Sequence, residues 1–245
     1  MKINKNYYTY NYFKSIINAA LENNWEFLSF NEYLNSKNKT KICILRHDID
    51  QDLNAALKMS KIEKSMGIKA NYFFMIRSGD YNLLQLESKN ILRSIQKNNH
   101  HIGLHFHFDK KLNIKQINNQ LELEYKFFKD EFFLENTFVS LHQPSKKILN
   151  KKIRLSRNHT YDDKLFKRIT YRSDSNLRLT NEACLLEYFK KEDDNIQLLI
   201  HPQWWTSKSI NIMHKWKNII ANHNENYKNY LIDNEGSFKK EFFKK

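Results

Sequence analysis

Short runs of apolar, β-branched and aromatic residues alternate along the chain with longer stretches whose apolar residues recur every three or four positions. The runs predict strands over 41–50 (KICILRHDID), 68–76 (IKANYFFMI), 101–108 (HIGLHFHF), 137–143 (TFVSLHQ), 169–175 (ITYRSDS) and 195–202 (NIQLLIHP). The amphipathic stretches predict helices over 53–66, 83–98, 117–132, 162–167 and 185–191, flanked by helices at 12–21 and 210–223. Such alternation implies an α/β fold with a mainly parallel sheet and covering helices, either open and doubly wound or closed into a barrel. Nearly every strand ends in histidines or acids: His47, Asp48 and Asp50; His105, His107 and Asp109; His142; Asp174; His201. Convergence from many strand ends is how barrels build a site, whereas an open sheet gathers its ligand at one switch point. No GxGxxG or Walker sequence is present, which also favours a (β/α) barrel.

Composition narrows the class. The 245 residues include only four glycines and two prolines, against about 17 and 12 at average usage, and no Pro/Gly/Ser-rich stretch marks a linker. The expectation is one domain over 1–245, with helical extensions at both ends. At 40% hydrophobic and 14% aromatic the chain can bury a sizeable core, which excludes general disorder. Cys43 and Cys184 lie far apart in apolar contexts without CxxC spacing, so a disulfide framework or a cysteine zinc site is not expected and a reducing compartment fits. The first residues lack an apolar signal-peptide core, and no apolar run is long enough to span a membrane; the expected location is the cytoplasm.

Lys and Arg total 41 against 27 Asp and Glu, a formal net charge of +14, with a basic tail at Lys239, Lys240, Lys244 and Lys245. A field of this sign attracts phosphates, acidic glycans, nucleic acid or anionic lipid without choosing among them, and equally describes a solvated surface. No nucleic-acid-binding motif accompanies it, so no specific nucleic acid is expected.

The densest chemistry is Arg46-His47-Asp48-Ile49-Asp50. Strand residues two apart share a face, so Asp48 and Asp50 project together while His47 and Ile49 point away. Paired carboxylates repel unless a cation intervenes, an arrangement suited to one metal ligand plus one general base. The plainer alternative is that Asp50 or Asp52 caps the helix starting near Leu53 and Arg46 pairs with an acid. In HHIGLHFHFD, His105, His107 and Asp109 alternate with apolar residues on one strand face; a helical turn after His105 would instead pair His105 with Asp109. Imidazole and carboxylate together suit first-row divalent metals. His101 and His105 would lie about 13 Å apart on an extended chain, too far to share an ion. His142 and His201 stand beside the two prolines, Pro144 and Pro202, which end strand pairing abruptly. A histidine in the place of His201 can deliver a proton at neutral pH. Trp204 and Trp205 could form a stacking face for a sugar or ordinary packing.

In this order, RHDID, ANYFFM, HHIGLHFHFD, SLHQPS, YRSDS and LLIHPQWW resemble the motifs of the polysaccharide deacetylase superfamily (NodB-homology, carbohydrate esterase 4-like), in its divergent branch with an RHDVD-type first motif. The likeness spans 42–205. It implies a distorted (β/α) barrel of about seven parallel strands, one divalent metal, Zn²⁺ with Co²⁺, Ni²⁺ or Mn²⁺ as alternatives, and removal of acetyl groups from N-acetylated sugars. By the same resemblance Asp48 is the general base, Asp50 the metal aspartate, His105 the first metal histidine and His201 the general acid. The family's second metal histidine falls at Asp109, leaving Asp109 or His107 as third ligand. SLHQPS keeps the family's proline but has His142 and no arginine, so Arg46 is assigned to orient the base. His142, Asp174, Trp204 and Trp205 are assigned to the substrate side, Asp174 at a position where another motif of the family contributes a supporting acid. The implied partner is an N-acetylated sugar or a cytoplasmic glycan precursor, and the net charge suits an anionic one. Other readings are an amidohydrolase-like C–N hydrolase, from the His105-Phe106-His107 pair, and a non-catalytic carbohydrate binder.

Overall fold

The computed structural model describes residues 8–36, 39–135, 137–150, 154–180 and 185–243. Cys184, Lys244 and Lys245 lie outside the described residues. Among the described residues, seven strands form one sheet in which every ladder is parallel. In chain order they are β1 (Glu26–Phe27), β2 (Ile42–Ile49), β3 (Asn71–Phe74), β4 (His101–Phe106), β5 (Val139–Leu141), β6 (Thr170–Ser173) and β7 (Ile196–Ile200). The sheet order is β5-β4-β3-β2-β7-β6, with β1 paired to the first residues of β2. The sheet curls into a half-barrel surrounded by helices, a distorted form of the (β/α) barrel.

The helices are α1 (Tyr10–Glu22), α2 (Phe30–Asn35), α3 (Leu53–Ser65), α4 (Leu86–Lys97), α5 (Ile114–Glu131), α6 (Lys146–Leu149), α7 (Asp163–Phe166), α8 (Leu185–Lys191), α9 (Ile212–Asn234) and α10 (Gly236–Phe242). Six begin at a side-chain cap that the sequence carries openly. Thr9, Ser29, Asp52, Asn113, Ser145 and Asn211 each accept a backbone amide hydrogen from the first turn, satisfying one of the helix's orphan donors. Asp52, and not Asp50, is the cap of α3. That leaves Asp50 free for the barrel mouth.

Every residue of β2 is buried, as expected of a central parallel strand covered on both faces. Alternation along the strand separates two cores. Cys43, Leu45 and Ile49 face the helices, in the large core that contains Met59, Leu92 and Leu198. Ile42 and Ile44 face the barrel axis with Phe30, Phe73, Phe138, Leu165 and Ile169, forming an apolar floor. Gly103 of β4 belongs to that floor, because a Cβ there would lie 2.4 Å from the Phe73 ring and 2.8 Å from the Phe138 carbonyl oxygen. The missing side chain gives Phe73 its place inside the barrel.

Above the floor the same inward positions become polar: Arg46, Asp48 and Asp50 from β2 and its exit, His105 from β4, Ser140 and His142 from β5, Gln197 and His201 from β7. Two residues per step carry each strand from floor to mouth. On the opposite face of β2, His47 stands between Glu63 of α3 (Nε2 to Oε1, 2.6 Å) and the carbonyl oxygen of Ile200 (3.2 Å). It ties the exits of β2 and β7 to the helix behind them.

Candidate metal centre and active site

Asp50, His105 and His142 converge at the mouth. His105 Nε2 lies 3.1 Å from Asp50 Oδ1 and 3.2 Å from His142 Nδ1, and His142 Nδ1 lies 3.2 Å from Asp50 Oδ1. Two imidazole nitrogens face each other while both face one carboxylate oxygen, a convergence of lone pairs that a shared cation would complete. Donors bound at 2.0–2.1 Å in tetrahedral directions lie about 3.3–3.4 Å apart, so the triad fits a small divalent metal with little movement. Burial opposes ionisation of Asp50, but hydrogen bonds from His105 and His142 outweigh it and hold the carboxyl well below its usual range.

Asp48 flanks the triad, with Oδ2 3.8 Å from His105 Nε2. Arg46, fully buried, grips it in bidentate fashion, Nε donating to Oδ1 at 2.9 Å and Nη2 to Oδ2 at 2.6 Å. Burial alone would raise the Asp48 pKa; the Arg46 charge, with His105, brings it below its ordinary value. Gln197 accepts from Arg46 Nη1 at 3.0 Å, and the Tyr161 hydroxyl accepts from Nη2 at 3.2 Å. Ser140 of β5 also accepts from Nη2, so the guanidinium is held from three strands and the segment after β5.

His201 closes the other side, its Nε2 3.8 Å from Asp50 Oδ2. Its Nδ1 faces Asp174 Oδ1 at 2.5 Å, and the Asp174 carboxylate also accepts from the His201 amide (2.9 and 3.0 Å) and from Trp205 Nε1 (3.0 Å). Burial would push the His201 pKa down; Asp174, with Asp50 and Asp48, overcomes it and lifts it from 6.5 to about 9. Because the folded value lies above the unfolded one, this pair stabilises the fold fully below pH 6.5, and the contribution is lost as pH rises through about 9. In metal-free protein, Asp174→Asn is expected to cost about 2–3 kcal/mol at about pH 6 and much less near pH 10. Urea denaturation at both pH values checks this; an equal loss at both would refute the pairing.

These groups form one wall of a cavity of about 930 Å³ that is also lined by Tyr161, Phe166, Tyr171, Trp204 and Trp216, large enough for a small-molecule ligand. The Trp204 and Trp216 rings meet edge to face at 5.1 Å, so α9 supplies part of the mouth.

Several sequence expectations are corrected. The third donor beside Asp50 and His105 is His142, not Asp109 or His107. β4 ends at Phe106 and no helical turn follows, so Asp109 sits exposed, its Oδ1 accepting from the Lys111 amide. His107 lies at the rim, its ring 5.0 Å from that of His142. Asp174 is fully buried and holds His201, the position of a supporting acid. Trp205 is buried against Tyr8, Tyr12 and Phe13, behind the site; only Trp204 of the pair lines the cavity. Ser140, Gln197 and Tyr161 went unnoticed in the sequence. Ser140 and Gln197 share inward faces with His142 and His201 at even spacing, a signal that could have found them; Tyr161, on an irregular segment, offers none.

No family model matches the sequence, and no curated protein matches it. Solved structures of similar shape include a CE4 family pseudoenzyme from Bacillus anthracis (16% identity, TM-score 0.45, covering 78% of this chain and 63% of that one). Two others are the Streptococcus pyogenes deacetylase PplD in complex with acetate (13%, TM-score 0.46, 78% and 81%) and the chitin deacetylase of the fungal pathogen Colletotrichum lindemuthianum (11%, TM-score 0.43, 76% and 84%). The chain thus spans less than two thirds of the Bacillus structure. Among the described residues, no helix is long and apolar enough to cross a membrane.

Proposed function

We propose that this chain is a metal-dependent hydrolase that removes the acetyl group from an N-acetylated sugar. The observation that carries the reading is the Asp50–His105–His142 donor triad set between an arginine-held carboxylate, Asp48, and an aspartate-held histidine, His201. Amide hydrolysis needs a polarised carbonyl, an activated water and a proton for a poor amine leaving group. A divalent cation held by the triad would supply Lewis acidity and lower the pKa of water towards about 7. Asp48, ionised and fixed by Arg46, is placed to orient the attacking water and take its proton. His201 is placed to give a proton from Nε2 to the departing nitrogen while Asp174 holds Nδ1. The products are acetate and a free amine. Trp204 and Trp216 offer a stacking surface for the sugar.

The substrate is proposed to be a cytoplasmic glycan precursor, and the +14 net charge suits an anionic one. Zn²⁺ fits the nitrogen and oxygen donors, as do Co²⁺ and Ni²⁺. The test is to strip the purified protein of metal, add back Zn²⁺, Co²⁺ or Ni²⁺, and measure acetate release from N-acetylated sugars. Metal binding with restored release is expected; neither binding nor release with any of the three ions would overturn the proposal.

A further inference from the structure

Ser140 of β5 is fully buried and makes three hydrogen bonds to the candidate machinery. Its Oγ lies 2.5 Å from Arg46 Nη2, 3.0 Å from Asp48 Oδ1 and 3.0 Å from His105 Nδ1. A serine hydroxyl has one proton to donate and two lone pairs that accept, so the three contacts exhaust it, and their direction follows by elimination. The guanidinium of Arg46 has no acceptor, so it donates to Ser140. Both oxygens of Asp48 already take a hydrogen from Arg46, so the carboxylate accepts and the single hydroxyl proton goes to Asp48. The remaining lone pair must then receive a hydrogen, which only His105 Nδ1–H can supply. The opposite arrangement, Ser140 donating to an unprotonated Nδ1, would leave a hydroxyl lone pair facing a carboxylate oxygen at 3.0 Å in a buried site, where unpaired polar contacts are costly.

We infer that Ser140 is a positioning residue that fixes His105 with its proton on Nδ1, so that Nε2 is the nitrogen presented to Asp50 and His142. The same hydroxyl bridges the candidate base to the candidate metal ligand. The orientation of Asp48 and the tautomer of His105 are set by one atom, and β5 contributes to the site through Ser140 as well as His142. Register makes this possible: His105 and Ser140 are direct ladder partners on neighbouring parallel strands, so their inward side chains lie side by side. A partner on a second ring nitrogen commonly orients a ligating histidine, and its loss lowers metal affinity about 10–100-fold.

The inference rests on the metal reading above only for the affinity measurement. Nitrogen-15 NMR of metal-free protein labelled in its histidines is expected to show His105 Nδ1 protonated, whether or not Nε2 also carries a hydrogen towards Asp50. Ser140→Ala is expected to give a mixture of tautomers and a Zn²⁺ affinity about 10–100-fold lower. Ser140→Thr, which keeps the hydroxyl, is expected to restore the single tautomer and most of the affinity. A bare Nδ1 in the parent protein overturns the assignment whatever the variants do, and so does a Ser140→Ala protein with unchanged tautomer and affinity. A parent protein that binds neither Zn²⁺ nor Co²⁺ but shows the protonated Nδ1 overturns the metal reading and leaves the role of Ser140 standing.

Discussion

Asp48→Asn is expected to lower kcat for acetyl removal by about 10²–10⁴-fold, the range typical for loss of a positioned general base, with Zn²⁺ affinity changed little. The separation of the two effects follows from the contacts. Asp48 is not among the three convergent donors, so its charge is not needed to hold the ion. Its Oδ1 accepts from Arg46 Nε and from Ser140 Oγ, and the carbonyl oxygen of the new carboxamide can keep both bonds. What disappears is the second oxygen, which accepts from Arg46 Nη2, and the basicity. Steady-state kinetics alongside a Zn²⁺ competition titration reads both quantities. Turnover within threefold of the parent would remove Asp48 from the mechanism, and a non-catalytic sugar binder would show that indifference.

The largest expected effect on stability lies one step further down the same strand. Arg46→Met should destabilise the protein by about 3–5 kcal/mol, because the buried Asp48 carboxylate is left without its counter-charge. Gln197 and Ser140 each lose a donor as well. Much of the loss should return in Arg46→Met/Asp48→Leu, since replacing both members of a buried ion pair by apolar groups is often neutral. Urea denaturation at neutral pH checks both. A single variant less than about 1 kcal/mol below the parent would mean that water reaches Asp48 and the pair is worth no more than a surface one.

How much of this could be read in the sequence depends on the range of the interaction. Strand periodicity put Arg46, Asp48 and Asp50 on one face and His47 on the other, and the structure keeps that arrangement. Helix caps are equally local, and α8 occupies the range expected of it. The identity of the third donor is not local. His142 reaches Asp50 because β5 lies beside β4 with His105 opposite Ser140, and register between strands 35 residues apart is not encoded by the spacing within either. Asp109 misled for a related reason: alternation predicts a face only while the strand continues, and β4 stops at Phe106. Trp205 turns away from the cavity because the 3₁₀ turn ends at Trp204 and Trp205 resumes an extended conformation, so the two rings leave the chain in different directions. Helix α9 runs to Asn234, well past the expected end near 223; Tyr227, Tyr230 and Leu231 continue its apolar spacing, but the polar residues between them masked it in the sequence.

The position of Arg46 two residues before Asp48 has a further consequence. Most buried ion pairs join distant parts of a chain, so forming them costs loop-closure entropy and any local opening of the fold separates the partners. Here the two charges sit on one central strand, and a single pleat sets their separation. No ladder joins β5 to β6; the segment after β5 spans that side, Thr160 donating to the Val139 carbonyl oxygen and accepting from Gln197. Displacing that segment would move Tyr161 while leaving the guanidinium and carboxylate tethered to each other. The Arg46–Asp48 pair is therefore the part of the mouth least sensitive to how the surrounding elements pack.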